Sequence, residues 1–359
     1  MRRKSHQQGC ACCSFVPTFV MSNLARQGKS QAQVSVQQSA LSRQRRKEKI
    51  NDVAQFSQVI SLIGNTVKTS AAPGTGSSVR QVYDCQHEFE QRVKLARSEG
   101  GAVTNDEDVN LVYDYSGVVR DYFNKLLGRD SIDNMGMDLI LNVHFGTDYL
   151  NAFWDGDEMT FGDGDGELFV SFAKSLDVVA HELAHGVVQF TANLEYNGQS
   201  GALNEHFADV FGSAITQYAH GQTADDADWL IGDEIMGPEL YGEALRSMRA
   251  PGTAYDNPFL GKDPQPGHMR DYYDGPEDNG GVHINSGIFN KVFYLVAMEI
   301  GTDKATLAWY TALQKLWYNA DFKDAMSVIV ESTRLLIKDG KLKPGSTQIV
   351  RAAFKDVGL

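Results

Sequence analysis

The segment HELAH, His181 to His185, limits the folds open to this chain of 359 residues more than any other feature. Residues four apart lie on one face of a helix, so His181 and His185 can present imidazole nitrogens to one metal ion. Zinc accepts two such nitrogens readily. Glu182, offset around the helix, can reach a water on the metal without ligating it, which makes it the candidate general base. A catalytic zinc takes three protein ligands and keeps one position open for water. Glu205, in the helix-like ALNEHFADVFG, is the best third donor, and Asp209 lies one turn further along the same face. A carboxylate there can accept a hydrogen bond from the outer nitrogen of a ligand histidine and fix its tautomer. Ligands and support thus come from two helices that the fold must bring together.

Competing metal signals are weak. GVVQFTANL follows His185 with no third histidine, and no inverted HxxEH occurs. His206 points off the Glu205 face and reads as structural. His6, His87, His144, His220 and His268 lack comparable partners and read as ordinary surface or core histidines. Cys10, Cys12 and Cys13 crowd together while Cys85 stands alone, which is neither a disulfide framework nor a finger-type zinc site.

Charge divides the chain. The net charge is −13, yet residues 1 to 50 hold ten Lys or Arg against the single acid Glu48, so that segment carries +9 and the remainder −13 − 9 = −22. A basic run such as Arg43 to Lys49 can signal nucleic acid or an anionic membrane, but an acidic partner within the same chain accounts for it as well. No stretch approaches the roughly eighteen apolar residues of a membrane span. Neither a nucleic-acid partner nor a membrane span is therefore expected.

The Gly/Ser-rich TSAAPGTGSS, Thr69 to Ser78, reads as an exposed linker. Upstream of it, Asn51 to Ile63 has near-helical apolar spacing, so the leader should carry one short amphipathic helix. Downstream, Asn110 to Leu127 reads as helix, Leu139 to Phe145 as strand, and Asn151 to Trp154 and Met159 to Phe161 as short strands. Helices then dominate: Val178 to Thr191, Ala202 to Gln217, Ile284 to Ile300, Lys304 to Leu316, Asp321 to Leu336 and Thr347 to Asp356. The pattern predicts an α+β protein with three parts: a basic leader over 1–78, a mixed β/α lobe over 79–186 that ends in the HELAH helix, and a helical lobe over 187–359. Zinc would lie in the cleft between the lobes.

With HELAH, Tyr196, SGALNEHFAD and DNGGVHINSG in place, residues from about Gln81 to Leu359 resemble the thermolysin family of neutral metalloproteases. Nineteen residues separate His185 from Glu205, as in that family; zinc aminopeptidases that share HExxH have eighteen and a GxMEN segment absent here. The resemblance implies that His181, His185 and Glu205 bind one zinc ion, with Asp209 supporting a ligand histidine. It implies that Glu182 is the base for a zinc-activated water, that His283, oriented by Asp278, and Tyr196 stabilise the oxyanion, and that Arg246 holds a substrate carbonyl. Asn151 and Ala152 would pair with protein or peptide substrates as an added strand. Phe169, Phe172, Val178, Ile231, Ile235 and Leu245 match apolar positions that line the family's pocket for the residue after the cut. Endopeptidase cleavage before large hydrophobic residues is the expectation.

Two departures matter. Of the family's double calcium site, Asp177, Asp228 and Asp233 match, but Thr216 and Leu230 stand at two other positions, so at most one calcium is expected. The leader is short, and FVPTFVMSNLARQG resembles the start of the propeptide in the protealysin-like group. That implies a zymogen whose own propeptide is an inhibitor, removed near the linker, its positive charge steered by an acidic cleft. Pro17, Asn23 and Arg26 break up the apolar patch that a secretory signal would need. Secretion by a route without a classical signal peptide is expected, with the cytoplasm as the alternative. The competing readings are a zinc aminopeptidase and a catalytically silent, zinc-stabilised interaction module. The spacing and the missing GxMEN disfavour the first, and the joint presence of Glu182, Tyr196 and His283 disfavours the second.

Overall fold

A computed structural model describes residues 13–42, 44 and 78–359. The expected helix over Asn51 to Ile63 and nearly all of the Gly/Ser-rich linker lie outside the described residues, as do Cys10, Cys12 and all of Arg43 to Lys49 except Gln44.

The first lobe is built on a six-stranded sheet of β1 (Cys13–Ser14), β2 (Arg80–Asp84), β3 (Lys94–Ser98), β4 (Leu139–Val143), β5 (Ala152–Trp154) and β6 (Met159–Phe161), in the spatial order β1-β5-β6-β4-β2-β3. β2 runs parallel to β4 and β4 to β6, whereas β5 is antiparallel to β6 and β1 is antiparallel to β5. The leader strand β1 therefore caps the edge that β5 would otherwise expose. Its partners in register are Cys13 with Trp154 and Ser14 with Phe153.

The leader continues as α1 (Thr18–Arg26) and α2 (residues 30–42). Neither helix was expected from the sequence, whose one leader helix falls outside the described residues. α1 buries Val20, Met21 and Leu24, and Asn23 Nδ2 donates to the Leu260 carbonyl (3.0 Å) in the second lobe. From α2, Ser35 Oγ accepts the Leu150 amide (3.0 Å) and Ser39 Oγ lies 3.0 Å from the Tyr149 hydroxyl in the first lobe. The leader thus spans the cleft. Among its described residues the attachment is mainly apolar and backbone-based, with a peripheral ion pair from Lys29 to Glu167 (2.9 Å).

α3 (Glu107–Leu127) packs on the sheet; Asp106 caps it by accepting the Val109 amide (3.1 Å), and Gly128 ends it in the left-handed region. The later helices follow the predicted order, with ends shifted by up to seven residues: α4 (Leu176–Gln189), α5 (Gly198–His220), α6 (Glu277–Ile300), α7 (Thr302–Leu313), α8 (Phe322–Lys338) and α9 (Ser346–Asp356). Asp321 and Asp324 form a capping box at the start of α8.

α4 and α5 approach closely because Gly212 carries no side chain. A Cβ there would sit 3.1 Å from the Asp177 carbonyl and 3.6 Å from the His181 Cβ. No helix among the described residues is long and apolar enough to cross a membrane.

Candidate active site

Helical geometry alone carries HELAH into the interior. α4 is buried along nearly its whole length, and its imidazoles meet α5 where Gly212 lets the two backbones come together. His181 Nε2 and His185 Nε2 are 3.0 Å apart. The Glu205 carboxylate straddles them, with one oxygen 3.5 Å from His181 Nε2 and the other 3.5 Å from His185 Nε2. The outer nitrogens are engaged separately: His181 Nδ1 lies 2.9 Å from Asp209 Oδ1, and His185 Nδ1 lies 2.9 Å from Asn204 Oδ1. An acceptor on each outer nitrogen leaves the facing Nε2 lone pairs for a metal.

Among the described residues, both Glu182 oxygens and Glu205 Oε2 are buried without a hydrogen-bond partner. Burial pushes the Glu182 carboxyl up to about 8. Burial would drive the proton off His181, yet Asp209 and Glu205 outweigh it and hold that pKa at about 9. Glu205 is opposed by burial but lowered by His283, His185 and His181. Two imidazole nitrogens, a carboxylate and an unpaired neighbouring glutamate within a pocket that draws positive charge fit a zinc ion with an open position.

His283 sits just after an unusual bend. α6 begins with Asp278 to Gly281 all in the left-handed region, with φ of 54°, 52°, 79° and 77°. DNGG is therefore a kinked turn inside a helix rather than a free loop. The turn swings Asp278 back, so that one oxygen accepts the His283 amide (2.7 Å) and the other lies 2.7 Å from His283 Nδ1. Burial lowers the His283 pKa, but Asp278 and Glu205 outweigh it, and the net shift is upward. His283 Nε2 lies 3.2 Å from the Tyr196 hydroxyl, which donates to Glu205 Oε1.

Arg246, in the two-residue strand β7 (Arg246–Ser247), is buried against Asp209, with Nε–Oδ2 and Nη2–Oδ1 distances of 2.9 Å. Asn290 Nδ2 also donates to Asp209 Oδ2 (2.8 Å). Arg246 and His181 hold the Asp209 carboxyl down at about 2 against the cost of burial. Asn204 and Asn290 have no counterpart in the sequence reading. Asn204 precedes Glu205, but nothing in an isolated asparagine signals that its amide oxygen will meet His185.

The leader fills the cleft. The Phe15 amide donates to the Ala152 carbonyl (3.0 Å), the Val16 amide to Asn151 Oδ1 (2.9 Å), and Asn151 Nδ2 back to the Val16 carbonyl (3.2 Å). Arg246 Nη1 donates to the Phe15 carbonyl (3.3 Å), and the Ser14 carbonyl oxygen is 3.1 Å from His283 Nε2. The Phe15 ring meets Phe172 edge to face, with centroids 6.5 Å apart. A Cβ on Gly232 would come within 2.9 Å of that ring and 3.4 Å of Leu245. Phe169 tilts against Phe172, and Val178, Ile231 and Ile235 are buried in the same apolar core.

The calcium candidates Asp177, Asp228 and Asp233 line one cavity together with Thr216 and Glu234. Asp177 Oδ2 accepts the Gly232 amide (2.6 Å), and Ser175 donates to Oδ1. Burial, then Asp177 and Asp228, push Asp233 up to about 7. His206 is a core residue, as expected: Trp309 Nε1 donates to its Nε2 (2.7 Å), Asn290 Oδ1 lies 2.8 Å from its Nδ1, and burial lowers its pKa to about 4.

The descriptions "Thermolysin metallopeptidase, catalytic domain" and "Thermolysin metallopeptidase, alpha-helical domain" match residues 28–189 and 192–359. An extracellular metalloprotease of Pectobacterium carotovorum is 43% identical over 87% of both chains. The chain belongs to the thermolysin family of metallopeptidases. Its α+β fold, with a mixed first lobe and a helical second lobe, is that of the family, and its class is metalloendopeptidase. The family is zinc-dependent, and the donors of α4 and α5 fit that ion. Protease PrtS of a Photorhabdus strain is 47% identical over 67% of this chain and 64% of its own length. The thermolysin of Alicyclobacillus acidocaldarius is 38% identical over 68% of this chain, which spans 44% of that relative's length. The solved precursor of protealysin from Serratia proteamaculans superposes with a TM-score of 0.81 at 39% identity, covering 96% of this chain and 99% of its own.

Proposed function

We propose that this thermolysin-family enzyme is made as a zymogen, and that its mature form cuts internal peptide bonds before large hydrophobic residues. One observation carries the reading: the leader strand from Ser14 to Val16 lies along β5 with its backbone paired and Phe15 in the apolar pocket. A substrate laid down in the same register would put a large hydrophobic residue where Phe15 sits and the bond before it beside the zinc ligands. Residues 1–78 are the inhibitory propeptide in this reading, removed near the linker to open the lobes 79–186 and 187–359.

When bound to His181, His185 and Glu205, zinc lowers the pKa of a water ligand to about 7 and polarises a carbonyl. Glu182 takes the proton of the attacking water and passes it to the leaving amine, a task suited to a buried carboxyl whose pKa is raised towards neutrality. His283, oriented by Asp278, and Tyr196 donate to the oxygen on which charge develops. Arg246 holds the next carbonyl, Asn151 and Ala152 align the substrate backbone, and Asp209 positions His181 and Arg246 together. Phe169, Phe172, Val178, Ile231, Ile235 and Leu245 shape the apolar pocket. The acids Asp177, Asp228 and Asp233 support at most one calcium ion. The extracellular relative supports secretion of this chain also.

The test compares full-length chain with chain lacking residues 1–78 on an unstructured protein, with and without a zinc chelator, and sequences the fragments. Internal cuts before Phe, Leu or Ile, faster without the leader and abolished by chelation, are expected. Trimming from amino termini alone would refute the endopeptidase reading, and a more active full-length chain would refute the zymogen.

A further inference from the structure

A second group of metal-ligating side chains lies in the first lobe, at strand exits rather than on α4 and α5. His144 follows β4, His87 lies in the turn after β2, and Asp163 belongs to the GDGDG loop after β6. Parallel pairing of β2, β4 and β6 brings these three strand exits together. His144 Nδ1 lies 2.9 Å from Asp163 Oδ1, and His87 Nδ1 lies 3.1 Å from Asp163 Oδ2. The three residues each offer a ligand atom within 4.8 Å of the others.

Local geometry shows that these rings are held rather than incidentally close. His87 and His144 both have left-handed backbones, with φ of 61° and 54°, a region uncommon for residues other than glycine. Strain of that kind persists where surroundings enforce it, and here the His87 amide donates to the His144 carbonyl (2.9 Å). The other side of His144 is supported too. Its Nε2 lies 2.9 Å from Asp106 Oδ2, while Asp106 is itself fixed as the α3 cap. A carboxylate on the outer nitrogen of a histidine whose inner nitrogen faces further donors is the usual support of a metal ligand.

We infer that His87, His144 and Asp163 form a second site for a divalent transition metal of the zinc type, with Asp106 positioning His144 and solvent completing the coordination. Two imidazoles and one carboxylate suit zinc, nickel or copper better than calcium. Bonds of about 2.1 Å set tetrahedral ligand atoms about 3.4 Å apart, close to the 2.9 Å and 3.1 Å that separate the two imidazoles from the Asp163 carboxylate. The His87 side chain is 59% exposed, which leaves the ion an entry path. The ion would join three loops beside the substrate edge, because Gly162, next to Asp163, donates its amide to the Asn151 carbonyl (3.0 Å).

The test uses full-length chain with its catalytic zinc in place, equilibrated with micromolar Zn²⁺ alone, with bound metal counted after gel filtration and thermal melting recorded. Two zinc equivalents are expected for wild type and for His220→Ala, an exposed histidine elsewhere. His87→Ala should hold one, and Asp106→Asn should bind the second about tenfold more weakly. Added zinc should raise the Tm of wild type but not of His87→Ala, whose melt before zinc is added should match wild type. A single equivalent in wild type, or two in His87→Ala, overturns the site.

Discussion

The Phe15 ring of the leader meets the His181 imidazole edge to face, their centroids 5.1 Å apart, so the leader packs directly on a zinc-ligand candidate. The Arg246 guanidinium lies over the same ring, 4.9 Å from its centroid. Phe15 is fully buried, and truncating such a side chain costs about 3 kcal/mol or more. Phe15→Ala should therefore loosen the leader and raise the peptide-cleaving activity of uncut full-length chain by roughly 100-fold. Initial rates, with gels confirming that the chain stays uncut, check this; a rate equal to wild type would remove Phe15 as the anchor.

Glu182→Gln keeps the size and burial of the side chain but removes its ability to take a proton. The kcat should fall by roughly 10²–10⁴-fold while KM and zinc content stay close to wild type. Metal analysis beside steady-state kinetics separates this from loss of a ligand, because removing zinc as well would make Glu182 part of the coordination.

How far these residues could be found without coordinates depended on the spacing between them. His181 and His185 share one helix, where a separation of four fixes their relation, and Glu205 with Asp209 repeats that logic on the next helix. Arg246, Tyr196 and His283 came only from family resemblance, since no local period links them to α4. β2 and β3, RQVYD and KLARS, are not legible in the sequence because charged residues on these half-buried strands, of which β3 is the sheet edge, mask alternation. β1 is two residues long and exists as a strand only because β5 offers it an edge. The cluster of His87, His144 and Asp163 is not legible in the sequence, since three separate strands must pair in register before those side chains meet.

Asp209 ties α5 to both Arg246 and His181. In Asp209→Ala the buried guanidinium loses its carboxylate and an outer imidazole nitrogen loses its acceptor. Breaking a buried pair on one side costs about 3–5 kcal/mol, and losing the support of a metal ligand weakens metal binding about 10–100-fold. Calorimetry should show a lower Tm, and a chelator should strip zinc at correspondingly lower concentration. A normal Tm with normal zinc retention would contradict the coupling.

Glu99 connects the first lobe's sheet to α3. Its carboxylate receives Arg80 Nε (2.7 Å) and lies 3.3 Å from Arg120 Nη1. The Arg80 hydrogen bond, working against partial burial, lowers the Glu99 pKa from 4.5 to about 2. A carboxyl depressed in the folded state contributes stability that is present in full above its unfolded pKa and is lost as pH falls through the folded one. The pair is partly exposed, with Glu99 at 29% and Arg80 at 12%, so solvent screening reduces its contribution to about 1–2 kcal/mol. In a Glu182→Gln background that prevents self-digestion, Glu99→Gln should lower unfolding free energy by that amount between pH 5 and 8. The gap between the two proteins should close as pH drops from about 4.5 towards 2, read from urea unfolding at each pH. A gap that stayed constant down to pH 2 would assign the loss to packing of the side chain rather than to its charge.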